Sequence, residues 1–431
     1  MSSPSSLQEV VAAVRSVDSI GLPLGPGQPV DLIHALGERN DWERLDVICS
    51  MLVDFYALFD HPGVHALSMF YGPAERIYSA MGRNIEFIPA DFRRFALVFE
   101  QRAPRVMATS ATLPDDEGWM SLSVHAGATV DELHRAAADP HRLLVVEASA
   151  SFPRTRGVSD QITHRIHVDD VDMWFEGSRP PVVLADPEIG DTEREIARFA
   201  ADFVRNGSTL QTGFGSIPST IAGLLVDSDL HDLGVHSEMF TNGLMKLHQQ
   251  GRITNSRKGL FDGFSVSTFA AGTPDLYEWL DDNDDVRFAP VSVVNSPEVI
   301  AAHHDMVTIN GAIAVDLFGQ ITADTIAGNQ FSGIGGHEDF VASSGLALED
   351  RSLVCLPSTF QANGQAMSRI TASMPGGWIV TTPRHHTDVV ITEYGVARLR
   401  GRTVNERAQA LISVAHPMFR DQLAIDWQNM R

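Results

Sequence analysis

The chain has 431 residues, 44% apolar and 20% charged, which is too long for one ordinary hydrophobic core and describes two folded domains rather than a disordered or fibrous protein. Its 55 acidic against 32 basic residues give a net charge of -23. Such a surface repels phosphate backbones, which argues against nucleic acid as a partner and requires any phosphorylated ligand to find a local pocket of basic or backbone-amide groups.

No apolar run approaches the roughly 20 residues needed to span a bilayer, so no membrane partner is expected. The start, Met1-Ser2-Ser3-Pro4-Ser5-Ser6, lacks the basic and apolar regions of a secretory signal, and a cytoplasmic protein is expected. Leu7, Val10, Val11 and Val14 fall at helical spacing and predict a short amphipathic helix over residues 6–16. The run 21–29, rich in glycine and proline, predicts a tight turn, and Pro29 suits the first turn of the helix that follows. The apolar runs 47–49, 64–67, 85–88, 106–109 and 143–146 predict buried parallel strands and hence an α/β layer structure. Cys49 and Cys355 lie in different halves and offer no disulfide framework. His61 and His65 have the spacing of a helical zinc pair but enclose Pro62-Gly63, which breaks that helix, and no metal is expected.

Between residues 177 and 190 the composition turns to Pro, Gly and Asp, which places a domain boundary there and divides the chain into residues 1–185 and 186–431. Thr192 and Glu195 have the spacing of a capping box, with Ile196, Phe199, Ala200 and Phe203 on one apolar face before Gly207. The turn Gly213-Phe214-Gly215-Ser216-Ile217-Pro218 then repeats the design of the first one: glycines, a proline, a helix with an Ile/Leu face. Two related α/β halves follow from that repetition. Neither turn is Gly-x-Gly-x-x-Gly and no Gly-Lys-Ser/Thr follows, which disfavours a dinucleotide fold or a P-loop. Residues 264–269, 291–294, 306–310, 313–317, 353–356, 378–381 and 389–392 are the strand candidates of the second half, and 404–412 and 417–423 are helical with a proline break.

Three pieces carry residue types suited to acyl chemistry. Glu238 ends a hydrophobic run, and a carboxylate with a reference pKa of roughly 4.3 is ionised near neutrality and can attack an activated acyl group. Gly213-Phe214-Gly215 lets another molecule approach the backbone and opens a helix with free N–H groups. The loop 332–340 has glycines that can aim backbone amides at a developing oxyanion.

The ordered segments 210–218, 233–239 (Leu-Gly-Val-His-Ser-Glu-Met), 315–320, 332–340 (Ser-Gly-Ile-Gly-Gly-x-x-Asp-Phe), 392–401, 406–408 and 415–420 together resemble the acetyl-CoA hydrolase/transferase family, which includes 4-hydroxybutyrate and succinate CoA-transferases. In the first half the resemblance is carried by Asp116-Glu117-Gly118-Trp119 and Pro153-Arg154-Thr155-x-Gly157. It implies two related open α/β domains of the CoA-transferase type. It also implies that Glu238 is a nucleophile carrying CoA as a glutamyl thioester between an acyl-CoA and a carboxylic acid. By position, the amides of Phe214, Gly215, Gly335 and Gly336 are the oxyanion candidates, and Gly213, Ser216, Arg154, Asn310, Gly333 and His337 the substrate-binding ones. Lys258, Arg384 and Arg398 are candidates for the CoA phosphates. The thioester is a substrate, so no resident cofactor is expected, and a homodimer is the expected assembly. Hydrolysis of an acyl-CoA on the same scaffold is the alternative, and a non-catalytic sensor of CoA or phosphate ligands the reading from another class. Two departures bear on the acid served: Val146-Glu147-Ala148-Ser149 stands where relatives have Glu-Val-Asn, and His337 where glutamine is common.

Overall fold

Short apolar runs with both faces covered pair side by side, and in the first half seven of them do so in one direction. The computed structural model, which describes residues 3–186, 188–213, 215–345, 347–362 and 364–430, divides the chain into two units: Met1–Leu184 with Val266–Val294, and Ala185–Ser265 with Asn295–Arg431. In the first unit β1 (Val17–Gly21), β2 (Arg44–Cys49), β3 (Val64–Ser68), β4 (Ile85–Phe87), β5 (Val106–Thr112), β6 (Leu143–Ser149) and β7 (Met173–Glu176) form a sheet of order β7-β6-β5-β1-β2-β3-β4. Every pair in it is parallel. All seven residues of β5 are buried, as a central strand covered on both faces must be.

The second unit carries β8 (Thr209–Thr212), β9 (Gly234–Phe240), β10 (Met306–Gly311), β11 (Arg351–Cys355), β12 (Val389–Thr392) and β13 (Gly395–Arg398), in the order β13-β12-β11-β10-β8-β9. Five strands repeat the first unit's connectivity, β12-β11-β10-β8-β9 matching β7-β6-β5-β1-β2. Both glycine turns occupy the same place in this scheme, each after the first strand and before a helix, Val30–Gly37 in one unit and Ser216–Val226 in the other. The repetition in the sequence is therefore a repetition of fold.

Three local expectations differ. Residues 291–294 form a helical turn, Val291–Val294, because the N–H groups of Val293 and Val294 bond back to Pro290 O and close a turn that outweighs the β-propensity of valine. Residues 378–381 form no strand. The capping box sits two residues earlier than read, with Glu193 accepting from the Gly190 N–H, and the helix Asp191–Ala201 ends well before Gly207. At the level of domains, Val266–Val294 groups with the first unit although it lies within residues 186–431. Its backbone explains why: Ala126 and Gly127 donate to Thr268 O at 2.7 and 3.0 Å, and Val286–Phe288 runs parallel to Arg156–Gly157. Buried backbone groups must be paired, and these partners lie more than a hundred residues back in the chain.

Glu147, on β6, is 4% exposed and accepts from the Leu32 and Asp31 N–H groups at the start of the helix Val30–Gly37, at 3.1 and 3.3 Å. Burial outweighs these bonds and pushes its carboxyl up to about 7. A raised carboxyl contributes stability in full below its unfolded value of roughly 4.3 and loses it as the pH rises through 7. Glu147→Gln is expected to remove this pH dependence, gaining about 2–3 kcal/mol relative to the native chain between pH 5 and pH 8 in urea unfolding. An unchanged slope would contradict the assignment. Among the described residues no helix is long and apolar enough to cross a membrane, and no group of three or more His, Cys, Asp or Glu side chains is placed to hold a metal ion.

Candidate active site

β8 and β9 pair only at their beginnings, Thr209 with Gly234 and Leu210 with Val235, and then separate. Beyond that point the Ser237 side chain replaces the ladder: the Thr212 N–H donates to Ser237 Oγ at 3.3 Å, and the single hydroxyl proton goes to Met239 O at 2.8 Å, with Thr212 O 3.2 Å away. Side chains alternate along a strand, so Ser237 facing β8 leaves His236 and Glu238 together on the other face. Glu238 is the one partly exposed residue of β9, whose other six are buried.

The Glu238 carboxyl is held from two directions. Asn295 Nδ2 donates to Glu238 Oε2 at 2.7 Å and to Asp339 Oδ2 at 2.9 Å, and Gly336 donates its backbone N–H to the same carboxyl. Asn295 is fully buried and Asp339 2% exposed. An acceptor-only carboxylate at Asp339 can bond the NH2 of Asn295 but not its oxygen, so Asp339 fixes which way the amide faces. Protein packed around Glu238 pushes its pKa up to about 8; the nearby Asp339 charge adds to the rise, and the Asn295 and Gly336 hydrogen bonds oppose it. A carboxylate so placed is poorly solvated yet bonded by donors that follow its charge, the state suited to a nucleophile.

Gly336 closes the approach from the loop side. A Cβ there would lie 1.7 Å from Glu238 Oε2 and 2.4 Å from Asn295 Nδ2. Its φ of -90° is open to any residue, so the position demands glycine for space and not for backbone conformation. Gly335, at φ +55°, is in the left-handed region, which turns the chain into the helix His337–Ser343.

The remaining sequence candidates fall in several places. Gly215 is the N-cap of the helix Ser216–Val226 and Ser216 its first residue. Phe214 lies outside the described residues. Gly213 donates to Ile309 O at 3.2 Å, and the neighbouring Asn310 forms a reciprocal amide pair with Gln211 at 3.1 and 3.3 Å. Gly333 is buried in the loop that leads to Gly336, and the His337 ring is turned to Thr382 Oγ1 at 3.1 Å. Arg154 belongs to the first unit, where its guanidinium donates to Leu113 O and Trp119 O and pairs with Asp115 at 3.4 Å. Lys258 is fully buried, its ammonium donating to Val235 O and Phe264 O, which removes it from contact with a phosphate in solvent. Arg398 lies over the Phe203 ring.

Asn295 and Asp339 were not singled out from the sequence. Asp339 stands inside the motif 332–340 and was legible there as a letter without a role. Asn295 lies 57 residues from Glu238 and directly follows a stretch that reads as a strand, so no local pattern points to it.

Residues 272–426 match the model of the acetyl-CoA hydrolase/transferase C-terminal domain. The chain is 35% identical over 423 residues to the 4-hydroxybutyrate coenzyme A transferase of Clostridium kluyveri, covering 96% of this chain and 95% of that one. It is 32% identical over 420 residues to the succinyl-CoA:cyclohexane-1-carboxylate CoA transferase of Geobacter metallireducens, covering 96% and 92%. Among solved structures, RipA from Yersinia pestis is similar with a TM-score of 0.88 at 29% identity, covering 99% of this chain and 97% of that one. Full-length identity at this level, together with a carboxylate nucleophile candidate gripped by an amide side chain and a glycine-loop N–H, shows that the chain belongs to the acetyl-CoA hydrolase/transferase family.

Proposed function

We propose that the protein is a CoA-transferase that moves CoA from an acyl-CoA to a carboxylic acid, with Glu238 as the covalent carrier. The observation that carries this reading is the grip on Glu238: two N–H donors on a desolvated carboxyl within β9. The relatives named above, similar along nearly the whole chain, are CoA-transferases by name.

In this scheme the Glu238 carboxylate attacks the thioester carbonyl, the C–S bond breaks, and CoA leaves as a thiolate with a mixed anhydride left behind. The thiolate then attacks the glutamyl carbonyl, the anhydride C–O bond breaks, and the donor acid departs, leaving a glutamyl-CoA thioester. An acceptor carboxylate attacks that thioester, and the same two steps in reverse order deliver its acyl-CoA and regenerate Glu238. The glutamyl oxygen takes up negative charge whenever its own carbon becomes tetrahedral. Asn295 Nδ2–H and the Gly336 N–H already point at this carboxyl, so their stabilisation needs no rearrangement.

The test is to mix the protein with succinyl-CoA or acetyl-CoA without an acceptor, trap with borohydride or hydroxylamine, and identify the modified peptide by mass. A modification on Glu238 with ping-pong kinetics toward added carboxylates is expected. Turnover without any Glu238 modification would overturn the covalent reading, and steady loss of thioester with no acceptor present would assign hydrolysis instead of transfer.

A further inference from the structure

Gly336 sits directly before the helix His337–Ser343, and the first two side chains of that helix are tied to one distant residue. His337 Nε2 is 3.1 Å from Thr382 Oγ1, Thr382 Oγ1 is 2.7 Å from Glu338 Oε2, and Glu338 Oε1 is 2.6 Å from His386 Nδ1. Thr382 is itself anchored, fully buried, by its N–H to Ile321 O at 3.1 Å. At the outer end the His386 ring is about one-third exposed and lies edge-on to His385 at 4.4 Å.

The proton directions in this chain follow from its chemistry. The Glu338 carboxylate can only accept, so Thr382 gives it the single hydroxyl proton and His386 gives it Nδ1–H. The Thr382 oxygen is then left to accept, which places the His337 proton on Nε2. Together these links tie both side chains at the helix start to Thr382. Helix starts this short are weak on their own, since the helix has seven residues and Gly336 provides no side-chain cap. The His337 N–H bonds back to Ile334 O at 3.3 Å, which adds a loose turn and no more.

We propose that the chain His337–Thr382–Glu338–His386 holds the Gly336 amide against Glu238, which makes His337 and Thr382 positioning residues for the transfer reaction. The inference rests on Glu238 being the nucleophile. It gives the histidine at position 337 a job: a ring that spans from the helix start to Thr382. Burial, opposed by a hydrogen bond to the Gly311 backbone, holds the His337 imidazole down to about 4, so near neutral pH it is uncharged and adds no charge beside Glu238. The contact between Glu338 and His386 stands at the exposed end of the chain.

The test compares Thr382→Val, which keeps the shape and removes the hydroxyl, with Thr382→Ser, which restores it. In the full-length enzyme with succinyl-CoA or acetyl-CoA, Thr382→Val is expected to lower kcat and the rate of Glu238 modification about 10-fold, with KM for the acyl-CoA within about twofold. Thr382→Ser is expected within about twofold of the native rate. Native kcat in Thr382→Val, or equal losses in the Val and Ser variants, would overturn the proposal. Should Thr382→Val not fold, His386→Ala at the exposed end decides: a drop of about 3-fold in kcat supports the chain, and native kcat refutes it. Absence of Glu238 modification in the native enzyme would sink the covalent reading itself, an outcome distinct from native-rate modification in the Thr382 variants, which sinks only the positioning.

Discussion

Glu238→Gln is expected to lower transfer by roughly 10⁴-fold or more, with no peptide modified under trapping conditions. The substitution keeps the size of the side chain and its place on β9, so the Asn295 and Gly336 donors still find an oxygen; what goes is the negative charge that attacks the thioester. The same variant carries a second, opposite signature. The Glu238 carboxyl is pushed up to about 8, so its stabilising contribution is complete below roughly 4.3 and is lost as the pH rises through 8. Glu238→Gln is therefore expected to be the more stable protein above pH 8, by on the order of 3 kcal/mol, with the advantage fading toward pH 5. Urea unfolding at pH 5 and pH 9 measures it. A variant that is inactive but has the native pH slope would show that Glu238 is not desolvated as described. Because the carboxylate is the attacking form, kcat/KM of the native enzyme is expected to rise with pH toward about 8.

Gly336→Ala comes next in size, with an expected loss of about 100–1000-fold in kcat. The added methyl would overlap Glu238 Oε2, at 1.7 Å, and Asn295 Nδ2, at 2.4 Å, so the carboxyl must move off the donors that hold it. At φ -90° alanine is free of backbone strain, which predicts a thermal midpoint within a few degrees of native and assigns the loss to the site and not to folding. Substrate binding far from the carboxyl is expected to survive, and KM for the acyl-CoA should change far less than kcat. A Gly336→Ala enzyme with native turnover would mean that the loop withdraws during catalysis and that the observed contact plays no part in it.

The α/β class, the buried parallel strands and the repeated strand–glycine turn–helix unit were legible in the sequence, because burial on both faces demands uninterrupted apolar runs and a tight turn demands small residues. Glu238 stood out as a candidate for a similar local reason, a hydrophobic run inside an ordered set of motifs, although the structure places it within β9 and not after it. The helical turn Val291–Val294 was not, since a backbone bond to Pro290 O overrode what valine prefers. Nor was the grouping of Val266–Val294 with the first unit, which depends on hydrogen-bond partners far back in the chain.

By itself the sequence marked the groups available for chemistry: one carboxylate in a hydrophobic run and glycine loops able to present amides. Only the tertiary structure decided which groups hold that carboxylate. Asn295 reaches it across 57 residues, and Asp339 sets the direction of the Asn295 amide across 44. Gly336 earns its place through a distance to Glu238 and not through its φ. The reason is physical: hydrogen bonds and steric exclusion act between neighbours in space, and a linear pattern records such neighbours only when they also lie close along the chain.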